Sequence, residues 1–302
     1  MDQQNENIEF ENIDYYLEHW DEFFVEWSKG ESHQKKLLKN DKIWSDENRK
    51  GKVWKTKDGK EKSTLLEYDV LPQPYLGNIE NHSVITLNLN PSRSKKNNEN
   101  IEFEKNYLPK FKEAENYHEY AERFPTYDTH PFWQKQDDWI DRIFEKLGKD
   151  APSENKIKPF AIEICPWGSK SFQKLKIKKD DSLIEYMDHY VFDVIKKVIE
   201  YSKLKIVLSV GKAYYDIFNN KKTDFERKEE ISYKKNKPEG MDWPQTIDKK
   251  SGKDRDVKRT FSIWKKGKIL YINTYASGSN TPPADHFDEI QNQLINKYLN
   301  KH

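Results

Sequence analysis

Four short apolar runs, each cut off by small polar residues, constrain this chain more than any other feature. The first is Ser83-Val84-Ile85-Thr86-Leu87-Asn88-Leu89, stopped by Asn90-Pro91-Ser92. Val, Ile and Thr suit a buried strand, and Pro ends it by fixing φ and removing a ladder donor. The second runs from Pro159 to Cys165 and is broken by Pro166-Trp167-Gly168-Ser169-Lys170-Ser171. The third, Lys205 to Val210, ends at Gly211-Lys212, and the fourth, Lys268 to Asn273, opens into a loop from Thr274 to Pro283. Helical patterns lie between them. Strands alternating with helices predict an α/β fold, a three-layer α/β/α arrangement around a central four-stranded, mainly parallel sheet. Loops at the carboxyl ends of such strands are where ligands bind, so the four loops are expected to converge.

The flanking segments are read in the same way. Tyr15, Tyr16, His19, Trp20, Phe23, Phe24 and Trp27 recur at three- and four-residue steps, which predicts an amphipathic helix with an aromatic face. That face either packs on the main domain or stacks on nucleic acid. Asp58-Gly59 between strand-like runs predicts a hairpin within 52–68. Residues 1–70 are therefore read as a helix-and-hairpin extension packed on an α/β domain, 71–302, which carries a charged insertion at 219–258. A helix is expected over 113–123, another from Trp139 to Leu147, a single one through Leu183 to Val198, one over 213–218, and a last one over 284–299. Arg259–Trp264 and 268–273 read as a second hairpin.

Charge says little about partners, because 53 Lys and Arg nearly balance 52 Asp and Glu. Aromatics make up 14% of a chain only 34% apolar, which predicts a core carried by rings. The single Cys165 excludes an internal disulfide and a Cys-rich zinc site. With no signal peptide and no long apolar span, a cytoplasmic monomer with no membrane contact is expected. No Walker loop, Gly-x-Gly-x-x-Gly or zinc-deaminase pattern is present, so no metal and no cofactor is expected.

The order of the four loops resembles the uracil-DNA glycosylase superfamily, over roughly Leu71 to Leu299. That resemblance implies hydrolysis of the N-glycosidic bond of a base flipped from DNA, with DNA as the partner. Asn88-Leu89-Asn90-Pro91-Ser92 stands where the family has Gly-x-Asp-Pro or Gly-x-Asn-Pro, closest to the mismatch-specific and single-strand-selective branches. Asn90 then falls on the residue that positions the attacking water. Tyr275-Ala276-Ser277-Gly278 takes the place of the family's His-Pro-Ser or Asn-Pro-Ser-Gly. Asn88 replaces the family Gly, Cys165 the Asn that reads uracil, and Tyr275 the residue that steadies the departing base. These departures imply a base other than uracil, and a modified phage pyrimidine, with a defence role, is one expectation.

The residues carry their own chemistry beside the resemblance. Asn90 can orient water through its amide, Tyr275 can donate to a base carbonyl, and Ser277 can bind phosphate, so these three are the catalytic candidates. Phe132 and Trp133 offer an aromatic platform for a flipped base or a hydrophobic staple under a helix. His130 meets the base or a phosphate, or is simply hydrogen-bonded. Glu163 interrupts an apolar strand, as a pocket acid or an edge residue facing water. With Asn88 and Cys165 these complete the expected base pocket. Ser92, Ser169, Lys170, Ser171, Lys212, Ser279 and Asn280 are the candidates for DNA phosphates, though a solvated Lys-rich face reads equally well. Two alternatives stay open: a DNA-binding module of the same fold without catalysis, and a Rossmann-like enzyme acting on free nucleotides or nucleosides.

Overall fold

The computed structural model describes residues 13–29, 53–55, 57–59, 61–63, 66–67, 72–89, 113–123, 131–169, 181–276 and 281–299. In chain order it begins with helix α1 (Ile13–Ser28) and strands β1 (Val53–Lys55), β2 (Glu61–Ser63), β3 (Leu66–Glu67), β4 (Tyr75–Leu76) and β5 (Ile85–Asn88). Helices α2 (Tyr117–Glu122) and α3 (Pro131–Lys146) follow, then β6 (Phe160–Glu163), β7 (Gly168–Ser169), and helices α4 (Asp181–Met187) and α5 (Asp193–Val198). The remainder is β8 (Ile206–Val210), α6 (Lys212–Phe218), β9 (Glu226–Ser232), β10 (Gln245–Ile247), β11 (Asp254–Asp256), β12 (Arg259–Lys266), β13 (Ile269–Ala276) and α7 (Asp288–Leu299).

The class is α/β. All four apolar runs form strands, and they are neighbours in a sheet ordered β4-β6-β5-β8-β13-β12-β9. The sheet has seven strands rather than the expected four. β5 and β13 both run parallel to β8, while β12 pairs antiparallel with β13 and β9 antiparallel with β12. The sheet is therefore mixed. β9 comes from the charged stretch 219–258, which also holds the β10–β11 hairpin. Glu226 to Glu230 of β9, an edge strand, are exposed or half-buried and so can remain charged. Among the described residues no helix is long and apolar enough to cross a membrane.

The described residues form two compact units. One holds those up to Leu76, from Leu89 to Arg123 and from Ile162 to Glu200. Its core is aromatic: Tyr16, Trp20, Phe23 and Phe24 of α1 are all buried. Tyr16 packs on Tyr75, Phe24 on Tyr117, and Phe23 on Trp167, at ring separations of 5.7–5.8 Å. The Tyr117 hydroxyl donates to the Tyr75 carbonyl at 2.8 Å. Asp21 accepts the backbone N–H of Tyr117 at 2.8 Å, and Asn116 accepts that of Glu119, so two side chains satisfy the free donors at the start of α2. Tyr16, Trp20, Phe23 and Phe24 are thus used for packing, while Tyr15 is exposed. The expected helix through Leu183 to Val198 is interrupted by a π turn at Asp188–Phe192, over which Tyr186 and Tyr190 stack at 4.6 Å.

The other unit holds the described residues of 77–88, 124–161 and 201–302. Strand alternation puts Val84, Leu208, Ile272, Phe261 and Ile263 on one face of its sheet, where they form a core with Trp139, Ile143 and Phe144 of α3 and with Ile290 and Leu294 of α7. On the opposite face Phe218 of α6 packs on Tyr271 at 5.6 Å. Helices therefore cover both faces. Gly77 sits at φ +100°, and a Cβ there would lie 2.6 Å from the Pro159 carbonyl, so this turn admits only glycine.

His82 gives this unit a pH dependence. It is fully buried, its Nδ1 lies 3.2 Å from the Asn78 carbonyl, and its ring packs on Phe160. Burial, with help from Lys205 and Lys203 and against two backbone hydrogen bonds, pulls its pKa from 6.5 down to about 4. Between those values the unfolded chain binds a proton that the folded chain refuses. Stability is thus complete above pH 6.5 and is lost as pH falls toward 4, by about 3 kcal/mol in total. Urea unfolding at pH 7, 5 and 4 should show this loss in the wild type and a much smaller one in His82→Gln. Equal pH dependence in the two proteins would place the effect elsewhere.

Candidate functional site

In the strand order β6-β5-β8-β13, the chain leaves β5 for one side and later fills β8 and β13 on the other. This reversal makes a switch point at the carboxyl ends of β5 and β8, where α/β sheets bind ligands. The register is Leu87 beside Ser209 beside Asn273, with Val210 beside Thr274 one step on. Asn88 follows Leu87 and so shares the last row with Val210 and Thr274. At the usual spacing between strands, Asn88 and Thr274 stand about 10 Å apart. Alternation turns both toward the face that α3 and α7 cover.

The polar groups in this row are buried. Asn88 is 9% exposed, and its Nδ2 has no hydrogen-bond partner among the described residues. On the same face, Thr86 Oγ1 and Gln136 Oε1 are also buried and without one. Thr274 Oγ1 accepts from Arg259 Nη1 at 3.1 Å. Arg259 is only 6% exposed, and burial alone lowers its pKa from 12.5 to about 10. The sequence reading passed over this arginine. The signal was its alternation with Phe261 and Ile263, which puts a strand's first charged residue on the core face.

The opposite face carries a second polar set. Asn273 is fully buried, and its Nδ2 donates to Ser209 Oγ at 3.0 Å and to the Gly211 carbonyl at 3.2 Å. Gly211 in turn donates its N–H to the Thr274 carbonyl at 2.8 Å, so the third and fourth loops are tied together. Tyr275 lies one step beyond Asn273 on this face, with its ring edge-on to Tyr215 of α6 at 5.2 Å. Tyr215 donates its hydroxyl to Glu230 Oε2 at 2.6 Å and accepts from Arg227 at 2.9 Å. Burial first, then the Glu230 bond, pushes the Tyr215 phenol up to about 12. Asn88 and Tyr275 were expected to share one pocket; they point to opposite faces of the sheet.

The other expected residues are spread over several environments. Phe132 is half-buried in the first turn of α3 and meets buried Trp133 edge-on at 5.1 Å. Lys212 is exposed at the start of α6, and its Nζ bonds Asp216 one turn later at 2.6 Å. Its charge is thus engaged along its own helix. In the other unit, Glu163 is 6% exposed, which answers the open choice in favour of burial, and its backbone N–H bonds the Pro74 carbonyl. Cys165 is buried there too. Its Sγ points at the Trp167 carbonyl at 3.6 Å, and its N–H bonds the Leu89 carbonyl at 3.0 Å, which ties the first and second loops together. Ser169 lies in β7, paired with Leu66. Asn90, Ser92, His130, Lys170, Ser171, Ser277, Ser279 and Asn280 lie outside the described residues.

Comparison with protein-family models, curated proteins and solved structures gives no match. Function must therefore be argued from the residues themselves. Among the described residues no three His, Cys, Asp or Glu side chains converge as metal ligands would. The strand ends instead offer amide and guanidinium donors, a set that can hold carbonyl oxygens and oxyanions.

Proposed function

We propose that the protein is a monofunctional DNA glycosylase that flips and hydrolytically excises a modified, non-uracil base, leaving an abasic site. The observation that carries this reading is the Asn88 amide, buried at the switch point with its donor unused. Breaking a glycosidic bond builds positive charge on the sugar and negative charge on the leaving base. A catalyst of this reaction needs a placed water and donors aimed at that base. Asn88 can supply such a donor, and the motif order assigns the water to Asn90. Phe132, half-buried at the start of α3, can present a ring to the flipped base. A bulky pyrimidine of the kind found in phage DNA suits the departures from the uracil pattern, and anti-phage defence is the role that follows.

A second reading is a module of the same fold that binds DNA without releasing a base. It is favoured by the engagement of Tyr275 with Tyr215, on the face away from Asn88. One experiment separates the two. Single-stranded and duplex DNA carrying uracil, mismatched thymine, deaminated purines and phage-type modified cytosines is incubated with the protein, with free nucleotides as control. Strand cleavage that requires alkali, from one modified base, is the expected result. Salt-dependent binding with no base release from any substrate would support the binding module, and activity on nucleotides alone would reject both.

A further inference from the structure

We propose that Arg259 is an anion-binding residue that receives a phosphoryl oxyanion at the carboxyl end of β13. The site consists of Arg259, Thr274, Thr281 and Phe287. Arg259 opens β12 and pairs in register with Ala276, the last residue of β13. Its side chain therefore lies at the strand end where α/β sheets take ligands.

A guanidinium has five N–H donors in one plane. Nη1 and Nη2 both aim at the Thr281 carbonyl, at 3.3 and 3.4 Å, and Nη1 also reaches Thr274 Oγ1 at 3.1 Å. Those three contacts use the end of the fork. The Nε–H and the second Nη2–H remain, and in a planar guanidinium these two are parallel along one edge. That edge is the one that takes two oxygens of a phosphate or carboxylate at once. Nε is buried and has no partner among the described residues.

Among the described residues the charge is also unanswered. Arg259 contacts a hydroxyl, a carbonyl and the face of Phe287 at 5.5 Å, and none of these carries a negative charge. Burial lowers its pKa, with no carboxylate among the described residues contributing. Nearby acids are committed elsewhere: Asp288 pairs with Arg142 at 3.0 Å, and Asp285 is exposed beside His286. A buried cation without a counter-ion is costly to keep. An arginine in that state, with a two-donor edge free, fits a site completed by an anion from outside. Phosphoryl oxygens can come from a nucleic-acid backbone or from free phosphate. The site does not require that any base be excised, so it stands apart from the glycosylase reading.

The test uses the full chain at constant ionic strength, with chloride as the reference. Inorganic phosphate should raise the melting midpoint saturably and shift the Arg259 Nε–H resonance, assigned by its loss in Arg259→Lys. Arg259→Met should melt somewhat below the wild type without phosphate, since Thr274 loses a donor, and should lose the rise. Arg259→Lys, which keeps the charge but not the edge, should weaken apparent affinity by about tenfold or more. It decides the matter if the Met variant fails to fold. A short single-stranded oligonucleotide binding at lower concentration than phosphate, and displaced by it, assigns the backbone as source; phosphate alone binding assigns the free ion. No rise over chloride in the wild type, or a full rise in Arg259→Lys with no change in the Nε–H signal, overturns the proposal.

Discussion

Asn90→Ala should lower base release by about 100-fold or more, the lower end of what a positioned proton-transfer or water-placing group contributes. DNA affinity should change by less than about threefold, since phosphate contacts dominate affinity and this side chain has no charge. Under the proposed function the amide would orient water rather than remove its proton, because an amide does not titrate in the working range. In the proposed dissociative reaction the sugar would carry most of the positive charge before the nucleophile bonds, so a weak but correctly placed water would suffice. A flat rate between pH 6 and 8 is the companion expectation. Single-turnover kinetics on the substrate found in the DNA panel would measure both. A loss of binding as large as the loss of rate would turn Asn90 into a contact residue. An unchanged rate would remove the proposed chemistry from this motif.

The main sheet was legible because strands buried on both faces need mostly apolar residues, and Val84–Leu87, Phe160–Ile164 and Ile206–Val210 supply them with one polar residue each. β9 was hidden by its position. An edge strand meets solvent along one side, and a run such as Glu226 to Glu230 carries no apolar period to detect. The site was less legible than the fold because it depends on parity. Whether Tyr275 joins Asn88 or faces away from it is decided by a register of one residue between β13 and β8, which loop motifs do not encode. Arg259 was missed for a related reason. An arginine at a strand start reads as a solvated flank until the two residues that alternate with it, Phe261 and Ile263, are seen to be core. The aromatic helix α1 shows the opposite limit: its face was plain in the sequence, but whether it packs or stacks was settled only by Tyr75, Tyr117 and Trp167.

Trp139→Ala should destabilise the protein by about 3–5 kcal/mol, the range for truncating a large buried aromatic. Trp139 is fully buried in the core shared by α3, α7 and the sheet, so the site row rests on it. Two losses combine. The indole leaves a cavity among close-packed side chains, and its Nε1–H no longer reaches Gln291 Oε1 at 2.6 Å. Gln291 is 1% exposed, so its orphaned carbonyl finds no water and adds about 1–3 kcal/mol of desolvation cost. Trp139→Phe separates the two terms, since it keeps most of the volume and removes the donor; about 1–3 kcal/mol is expected from it. Urea unfolding of the three proteins at pH 7 gives the values. If Phe costs as much as Ala, the hydrogen bond to Gln291 governs the site; if Phe costs nothing, packing alone does. A domain with a total stability of about 5–15 kcal/mol can lose most of it through the Ala variant. Activity assays of that variant should therefore run at low temperature, where folded protein remains.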